Sequence, residues 1–332
     1  MSRYKLFDRK RLKEKSVEER ESKSTSSIMI NPDSNPPEIS PLEQKLVDDL
    51  AKHIIVSREI GSPVIIAYGA HLFKNGCSPI LIKLMEMGYI NQLLTNGAGI
   101  IHDFEMSLIG RTEEDVKKYM AEGQFGIWDE TGKYLNAAAK QGAKKNLGFG
   151  ESVGKCMSDG KVGKKALEFA YKQHSIVWNA YRLSIPLSCC ASIGQDIIHT
   201  HPSCDGAALG KTSYTDFLIF TESVSKMQNG TFISVGSAIM APMVLEKALS
   251  MAKNVAKAEG KSLDKYSIIV NDIQPSTWDW SKGEPPKDNP AYYLRFCKSF
   301  SRMGGEFSYV CLDNRAFLHN LYYVLKGLIT KR

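Results

Sequence analysis

The chain has 332 residues, of which 43% are hydrophobic and 24% charged, and its formal net charge is +7. This composition supplies one large core or two smaller cores of about 150 residues each. No stretch approaches the roughly 20 apolar residues of a membrane crossing, and the charged amino terminus lacks a signal peptide's apolar core, so a cytoplasmic protein is expected. The seven cysteines have no C-x-x-C spacing, which favours reduced core thiols over disulfides or a zinc site.

Residues 1–40 are predicted to be a disordered basic tail and linker. Residues 1–27 hold nine basic and five acidic side chains, and residues 31–41 are rich in proline. Such a segment lacks the apolar periodicity that offsets the entropy of ordering, so its removal is expected to leave the melting temperature almost unchanged. The body, residues 41–332, is nearly balanced in charge, so no nucleic-acid partner is expected for it.

Six short apolar runs rich in β-branched residues predict strands, and segments with helical spacing lie between them. The alternation predicts a single α/β domain with a Rossmann-like, doubly wound, mainly parallel sheet of about six or more strands and helices on both faces. A long stretch without a predicted strand, residues 113–183, is expected to be a helical insertion. The predicted strands cover residues 64–68, 90–95, 186–191, 231–235, 267–271 and 307–312.

Two of these strands run into turns of small residues. In a doubly wound fold ligands bind outside the carboxyl ends of the strands, and small residues at a helix start let backbone N–H groups approach a phosphate. Neither turn is the full G-x-G-x-x-G fingerprint, and tight strand–helix packing is the alternative reading. Together they favour nucleotide binding. The turn residues are Asn96, Gly97, Ala98 and Gly99 after the second strand, and Gly236, Ser237 and Ala238 after the fourth.

Carboxylates and histidines also follow the predicted strands. Asp272 and Asp313 are candidates for hydrogen bonds to ribose hydroxyls, with turn or helix capping as the alternative. His102 stands beside Asp103 at a helix start, and the two are a candidate acid–base pair, although adjacent side chains on a helix point apart.

The densest ionisable cluster follows the third predicted strand. His199, His201 and Asp205 form an H-x-H-x-x-x-D pattern that predicts a metal site, an acid–base pair or donors to phosphate, with a purely structural role as the alternative. Spacing identifies no further metal ligand. We therefore take His201 and Asp205, together with His102, as the candidate catalytic residues and assign no metal.

Two sequence segments resemble segments of deoxyhypusine synthase. TNGAGIIHDFEMSLIG is similar to that family's Thr-Ala-Gly-Gly turn before an acidic helix start, and NGTFISVGSAIMAPMVLEKAL to its strand, triple-glycine turn and helix. The similarity extends over roughly residues 50–315. It implies an NAD-binding Rossmann-like fold, a homotetramer, and aminobutyl transfer from spermidine through an enzyme-lysine imine. It assigns NAD contacts to both small-residue turns and makes Asp103 the carboxylate that closes the first motif.

The chain also departs from that family. His102 replaces a glutamate, residues 241–243 replace Lys-His-His, and no Ser-Trp-Gly-Lys segment supplies the imine lysine. The expectation is a deoxyhypusine synthase-like NAD-binding protein, with transferase activity toward a polyamine or other amine as its expected chemistry. The alternatives are a non-catalytic nucleotide-binding regulatory or scaffold protein and a metal-dependent enzyme built on His199, His201 and Asp205.

Overall fold

The computed structural model describes residues 3–329; Met1 and Ser2 of the predicted tail and residues 330–332 of the predicted domain lie outside that range. The described part has one central six-stranded sheet and two small two-stranded sheets. The strands are β1 (Ser22–Thr25), β2 (Val64–Tyr68), β3 (Gln92–Asn96), β4 (Arg111–Glu114), β5 (Lys161–Val162), β6 (Lys165–Ala166), β7 (Leu187–Cys190), β8 (Thr231–Val235), β9 (Ser267–Asp272) and β10 (Glu306–Cys311).

The central sheet has the order β10-β9-β8-β2-β3-β7 and is parallel throughout. Numbered along the chain, its strands lie in the order 3-2-1-4-5-6 of the doubly wound dinucleotide-binding fold. The predicted fold is confirmed, and every predicted strand is present. The strand order reverses between β2 and β8, so the crevice at their carboxyl ends is the topological switch point.

Helices cover both faces of this sheet. Every residue of β2 is buried, and alternate residues serve different cores: Val64 and Ile66 pack under one set of helices, Ile65 and Ala67 under the other. The continuous apolar run is thus the pattern of a strand covered on both sides. The α-helices are α1 (Pro41–Glu59), α2 (Ala70–Lys74), α3 (Ser78–Glu86), α4 (Gly97–Ile109), α5 (Val116–Ala121), α6 (Asp129–Lys145), α7 (Phe149–Asp159), α8 (Ile176–Arg182), α9 (Gly206–Ser225), α10 (Met240–Ala258), α11 (Arg295–Ser301) and α12 (Asn314–Ile329).

Local sequence signals explain where the helices begin and end. Ser40 caps α1 in a reciprocal pair with Glu43, and Pro41 occupies the first helical position, where its missing N–H costs nothing. The predicted insertion at residues 113–183 is mainly helical, containing α5 to α8, but it also holds the β5–β6 hairpin. Within the described residues no helix is long and apolar enough to cross a membrane. All seven cysteines, which lie in the described range, are free.

The prediction of a disordered tail is wrong for residues 14–25, which we call the N-terminal arm. Strand β1 pairs antiparallel with β4, and Val17, 1% exposed, packs against Tyr119 and Trp128. Arg20 is buried in the body. The arm has no apolar periodicity because it docks through strand pairing, one apolar side chain and one buried charge rather than through an amphipathic face.

Candidate functional site

The two small-residue turns lie on the same edge of the sheet, on either side of β2. Gly236 has φ +57, and a Cβ at Gly69, the residue after β2, would collide with the Gly236 carbonyl oxygen. The turns after β2 and β8 therefore touch, backbone to backbone, at the switch point. Because β3 and β8 both neighbour β2, the turn at Asn96 lies about two strand spacings, roughly 10 Å, from the turn at Gly236.

The turn after β3 forms a helix start that already holds an anion. Asn96 caps α4 by accepting a hydrogen bond from Gly99 N at 2.9 Å. Asp196, in the loop after β7, lies so close that a Cβ at Gly97 would collide with its carboxylate. Burial raises the pKa of Asp196, while His199 and the N–H groups of Ser192 and Ala98 act in the opposite direction. The Ala98 N–H at this helix start thus bonds to a carboxylate, which the sequence analysis missed.

Two of the three carboxylates that were predicted to contact the cofactor, Asp272 and Asp313, bond to nearby backbone N–H groups. Asp272 accepts from Gln274 N at 3.2 Å, and Asp313 accepts from Arg315 N at 2.8 Å at the start of α12. These are the bonds of the capping alternative. Their contact with a ribose stays a prediction.

Asp103 serves a different helix from the one expected. Its carboxylate is fully buried and accepts hydrogen bonds from the Ser175 hydroxyl and from Ile176 N (2.6 Å) and Val177 N (3.2 Å) at the start of α8. Burial raises the pKa of Asp103 to about 7, against those three donors. The predicted pairing of His102 with Asp103 is therefore wrong, because successive residues of α4 point to different sides of the helix.

His102 instead joins a hydrogen-bonded chain that ends at a buried ion pair. Arg20 donates to both Glu105 oxygens at 2.8 Å, and Thr112 Oγ1 donates to Glu105 Oε2 at 2.6 Å. Thr131 bonds to the other Glu105 oxygen at 2.7 Å. Burial by itself would raise the pKa of Glu105, but Arg20 outweighs it and the pKa is lowered. Glu105 is thus an ionised acceptor.

The hydrogen-bonded chain determines which ring nitrogen of His102 carries the proton. Thr112 has one hydroxyl proton and gives it to Glu105, so its oxygen accepts from His102 Nδ1–H at 2.8 Å. Nε2 is left with its lone pair. Burial lowers the pKa of His102 to about 4; Glu105 and Glu113 act to raise it, and Lys74 and Arg20 act in the same direction as burial. At neutral pH His102 is therefore a neutral imidazole with Nε2 unprotonated, which is the form a general base requires.

His102 lines a cavity of about 240 Å³ at the carboxyl edge of the sheet. The same cavity is lined by Lys74, Glu113 and Asp196, and by Ala98 at the start of α4. Lys74 Nζ lies 2.8 Å from Glu113 Oε1. Counting Arg20, Glu105 and Glu114, which also line it, the cavity has four carboxylates against two permanent cations. Arg20 pairs with Glu105 and Lys74 with Glu113, and burial raises the pKa of Glu114 and of Asp196, so the excess of carboxylates rests on these last two.

The backbone of Glu113, which lines this cavity, has an unusual conformation. It has φ +69, the left-handed conformation that non-glycine residues adopt at a cost of order 1 kcal/mol and that concentrates at functional sites. Ser24 of the N-terminal arm donates to its carboxylate at 2.7 Å. The arm thus supplies two of the side chains, Arg20 and Ser24, that hold the carboxylates of the cavity.

The metal alternative, in which His199, His201 and Asp205 share one ion, does not assemble. Asp205 caps α9, accepting from Ala207 N and Ala208 N at 3.1 Å, and His199 Nδ1 accepts from Gly194 N at 3.2 Å. His201 turns away toward Glu14 and Asp129. The pattern misled because it was read as an extended segment, whereas residues 197–199 form a 3-10 turn that sends the side chains in different directions.

The sequence holds one signal for the residues that were missed. Glu105 sits among apolar residues of α4, and a charge in such a helix requires a buried partner. That signal marks Glu105 but not its partners Arg20 and Thr112, which lie on other elements.

The sheet order and the crevice define a protein of the Rossmann-like class. No family model matches the chain, and no curated protein matches it. Among solved structures it is similar to unliganded AgrE, with a TM-score of 0.54 and 16% identity over 88% of this chain and 34% of AgrE. AgrE in a ternary complex with ornithine and NAD+ gives a TM-score of 0.53 and 15% identity over 89% and 34%. A conserved LOR/SDH protein from Methanococcus maripaludis S2 gives a TM-score of 0.52 and 16% identity over 90% and 74%.

These similarities show the fold, and the chain spans about a third of the length of the AgrE chains. They overturn the resemblance to deoxyhypusine synthase, because the similar structures are AgrE and the LOR/SDH protein. The aminobutyl-transfer function inferred from that resemblance is wrong, and the homotetramer loses its basis. Small-residue turns at the strand ends of a Rossmann-like sheet recur in many unrelated functions, so they do not identify a family.

Proposed function

We propose that this chain binds NAD at the switch point of its sheet and forms an enzyme site for a small cationic amino acid in the cavity beside His102. The observation that carries the proposal is the chain of hydrogen bonds that leaves His102 Nε2 unprotonated at a carboxylate-rich cavity next to a helix start that holds an anion. The similar AgrE structure with ornithine and NAD+ supports both ligand classes.

The residues present fit a dinucleotide. Gly69 and Gly236 pack backbone to backbone at the switch point, and the Ala98 N–H at the start of α4 holds the Asp196 carboxylate where it would hold a phosphate. The residues that would hold NAD are those of the two turns, at 96–99 and 236–238. A phosphate at the start of α4 would compete with Asp196 for the Ala98 N–H.

The chain's own residues then act on the substrate. NAD, when bound, supplies a hydride acceptor. Glu113, with φ +69 and held by Lys74 and Ser24, is placed to bind a cationic group of the substrate, and His102 Nε2 takes up the proton that leaves as the substrate is oxidised. Thr112 and Glu105 position His102 by holding Nδ1–H.

Nucleotide binding is tested by adding side chains to the two turns. Gly97→Ala places a methyl group in the space at the start of α4 that Asp196 fills and that the proposal gives to a phosphate, and Gly236→Ala strains a residue with φ +57, so each is expected to weaken NAD binding about tenfold or more, measured by calorimetry. Gly210→Ala, on α9 where a Cβ meets nothing within 4 Å, is the matched control and should bind NAD like the wild type. Unchanged affinity in both turn variants would place the nucleotide elsewhere.

The charge of the substrate is tested separately, by NADH formation with single amino acids. Ornithine and lysine should be turned over and aspartate should not, because the cavity has more carboxylates than cations. Glu113→Gln should raise KM for ornithine by roughly tenfold with a smaller change in kcat, as expected for the loss of one charged contact. Equal rates with aspartate and ornithine would reject the cationic substrate while leaving NAD binding intact.

A further inference from the structure

A second cluster of ionisable groups lies outside the cavity, where the N-terminal arm crosses the start of α6. Lys15 pairs with the backbone there, its N–H donating to Ile127 O at 3.3 Å and its carbonyl accepting from Asp129 N at 2.9 Å. One residue further along, Ser16 Oγ and Val17 N both bond to Glu130, at 2.9 and 2.7 Å. These contacts fix the register of the arm so that Glu14 lies beside Asp129.

His201 reaches the same point from the loop between β7 and α9. It is 6% exposed, and its ring lies against Gly132, one turn into α6, where a Cβ would collide with it. Nε2 lies 3.2 Å from Glu14 Oε1 and 3.5 Å from Asp129 Oδ1. Despite these neighbours, Nε2 has no hydrogen-bond partner of acceptable geometry among residues 3–329. The buried ring nitrogen thus points between two carboxylates without bonding well to either.

The two distances from His201 Nε2 to the carboxylate oxygens match those between ligand atoms around one metal ion. In a tetrahedral site with metal–ligand bonds of about 2.0–2.1 Å, neighbouring ligand atoms lie about 3.3–3.4 Å apart. In such a site the carboxylate oxygens lie to the side of the imidazole axis, where they cannot form a straight hydrogen bond with Nε2. The three ligand atoms lie within 4.8 Å of one another. We propose that Glu14, Asp129 and His201 bind a divalent transition-metal ion of the zinc class that fastens the N-terminal arm to the body.

The surroundings of the three residues determine what an ion at this position requires. Without an ion, His201 Nδ1 accepts a hydrogen bond from the Ser203 backbone N–H at 3.0 Å; an ion on Nε2 requires the ring proton to move to Nδ1, which gives up that bond and donates to the Ser203 hydroxyl at 2.7 Å. Lys133 bonds to the other Asp129 oxygen at 3.1 Å and leaves Oδ1 for the ion. An imidazole with two carboxylates suits zinc and its neighbours, whereas magnesium prefers oxygen ligands alone. Both carboxylates are partly exposed, which leaves a path for the ion to enter.

The role that follows is structural. The ion joins three segments that are far apart in the sequence, and the arm it holds continues to Arg20 and Ser24 at the cavity. Since a preformed site rarely exists in the unfolded chain, binding energy at such a site adds to folding stability.

The test is zinc binding by the full-length chain, with zinc chloride as the probe and magnesium chloride as the comparison. After dialysis against zinc and then metal-free buffer, the wild type should retain about one zinc per chain. At zinc concentrations about 100 times Kd its Tm should rise by about 5 °C, and magnesium should give no rise. Glu14→Gln and His201→Gln should lose both effects. His199→Gln is the matched control, because that histidine lies outside the cluster, and it should keep them.

Glu14→Gln keeps the test decisive if the buried His201 variant does not fold, because the Glu14 side chain is 24% exposed. Ser203→Ala should weaken zinc affinity about tenfold or more by removing the acceptor for Nδ1–H. Retention of zinc in Glu14→Gln and His201→Gln equal to the wild type would show surface binding elsewhere and overturn the site. A wild type that retains no zinc would leave a His201 ion pair with the two carboxylates, and would also overturn it.

Discussion

Arg20→Ala should lower the free energy of unfolding by about 3–5 kcal/mol, the usual cost of removing one partner of a buried ion pair. The side chains of Arg20 and Glu105 are 1% and 2% exposed, and their two hydrogen bonds are both 2.8 Å long. Without the guanidinium, Glu105 keeps only two threonine hydroxyls as donors. Stacking of Arg20 against Trp128, at 5.7 Å, is lost as well. Urea denaturation measures the change.

The matched control is Lys23→Ala, in the same arm. Lys23 pairs with Asp115 at 3.0 Å, but both side chains are 40% exposed or more, so its loss should cost less than about 1 kcal/mol. A double variant, Arg20→Met with Glu105→Met, should be more stable than Arg20→Ala, because it leaves no uncompensated buried charge. Equal, small losses in Arg20→Ala and Lys23→Ala would mean that the arm is not docked in solution.

His102→Gln should reduce kcat by about 10²- to 10⁴-fold in the proposed NAD-dependent reaction, the range of a lost general base, while NAD affinity stays unchanged. Thr112→Val should lower kcat by a smaller factor, because it removes the group that holds Nδ1–H but keeps the imidazole. Steady-state NADH formation and calorimetry with NAD measure the two quantities. His53→Gln is the control, since His53 bonds to Ser267 at the amino end of β9, away from this edge.

The pH profile gives an independent check on His102. Its pKa is lowered to about 4, so the imidazole stays neutral as the pH falls from 7 to about 5, and kcat/KM should keep its value over that range with respect to this group. The lowered pKa of His102 also makes stability depend on pH. The folded protein binds this proton less readily than the unfolded chain, so the contribution to the free energy of unfolding is present above the unfolded pKa of about 6.5 and is lost as the pH falls through 4. Two results would contradict the assignment of His102 as a neutral general base. One is a fall of kcat/KM below about pH 6.5 that is absent in His102→Gln, and the other is full turnover by that variant.

The sequence by itself determined the fold class and the edge of the sheet where ligands are expected. Runs such as Val64–Tyr68 are apolar at every position, which is the pattern of a strand buried on both faces, and their regular alternation with helices admits few arrangements other than a parallel sheet. The turns at Gly97 and Gly236 followed from the same pattern. These features are local, so a window of a few residues contains the information for each.

Only the tertiary structure decided which side chains meet at the site. Arg20 lies 85 positions from Glu105, and Thr112 is brought to His102 on a short strand that pairs with the N-terminal arm. His201, Glu14 and Asp129 likewise belong to three distant segments. None of these partners repeats with the period of a helix or a strand, and the arm was read as disordered because polar docking leaves no amphipathic pattern. Buried polar contacts are paired by the geometry of the packed chain, and that geometry exists only after the sheet and its helices have assembled.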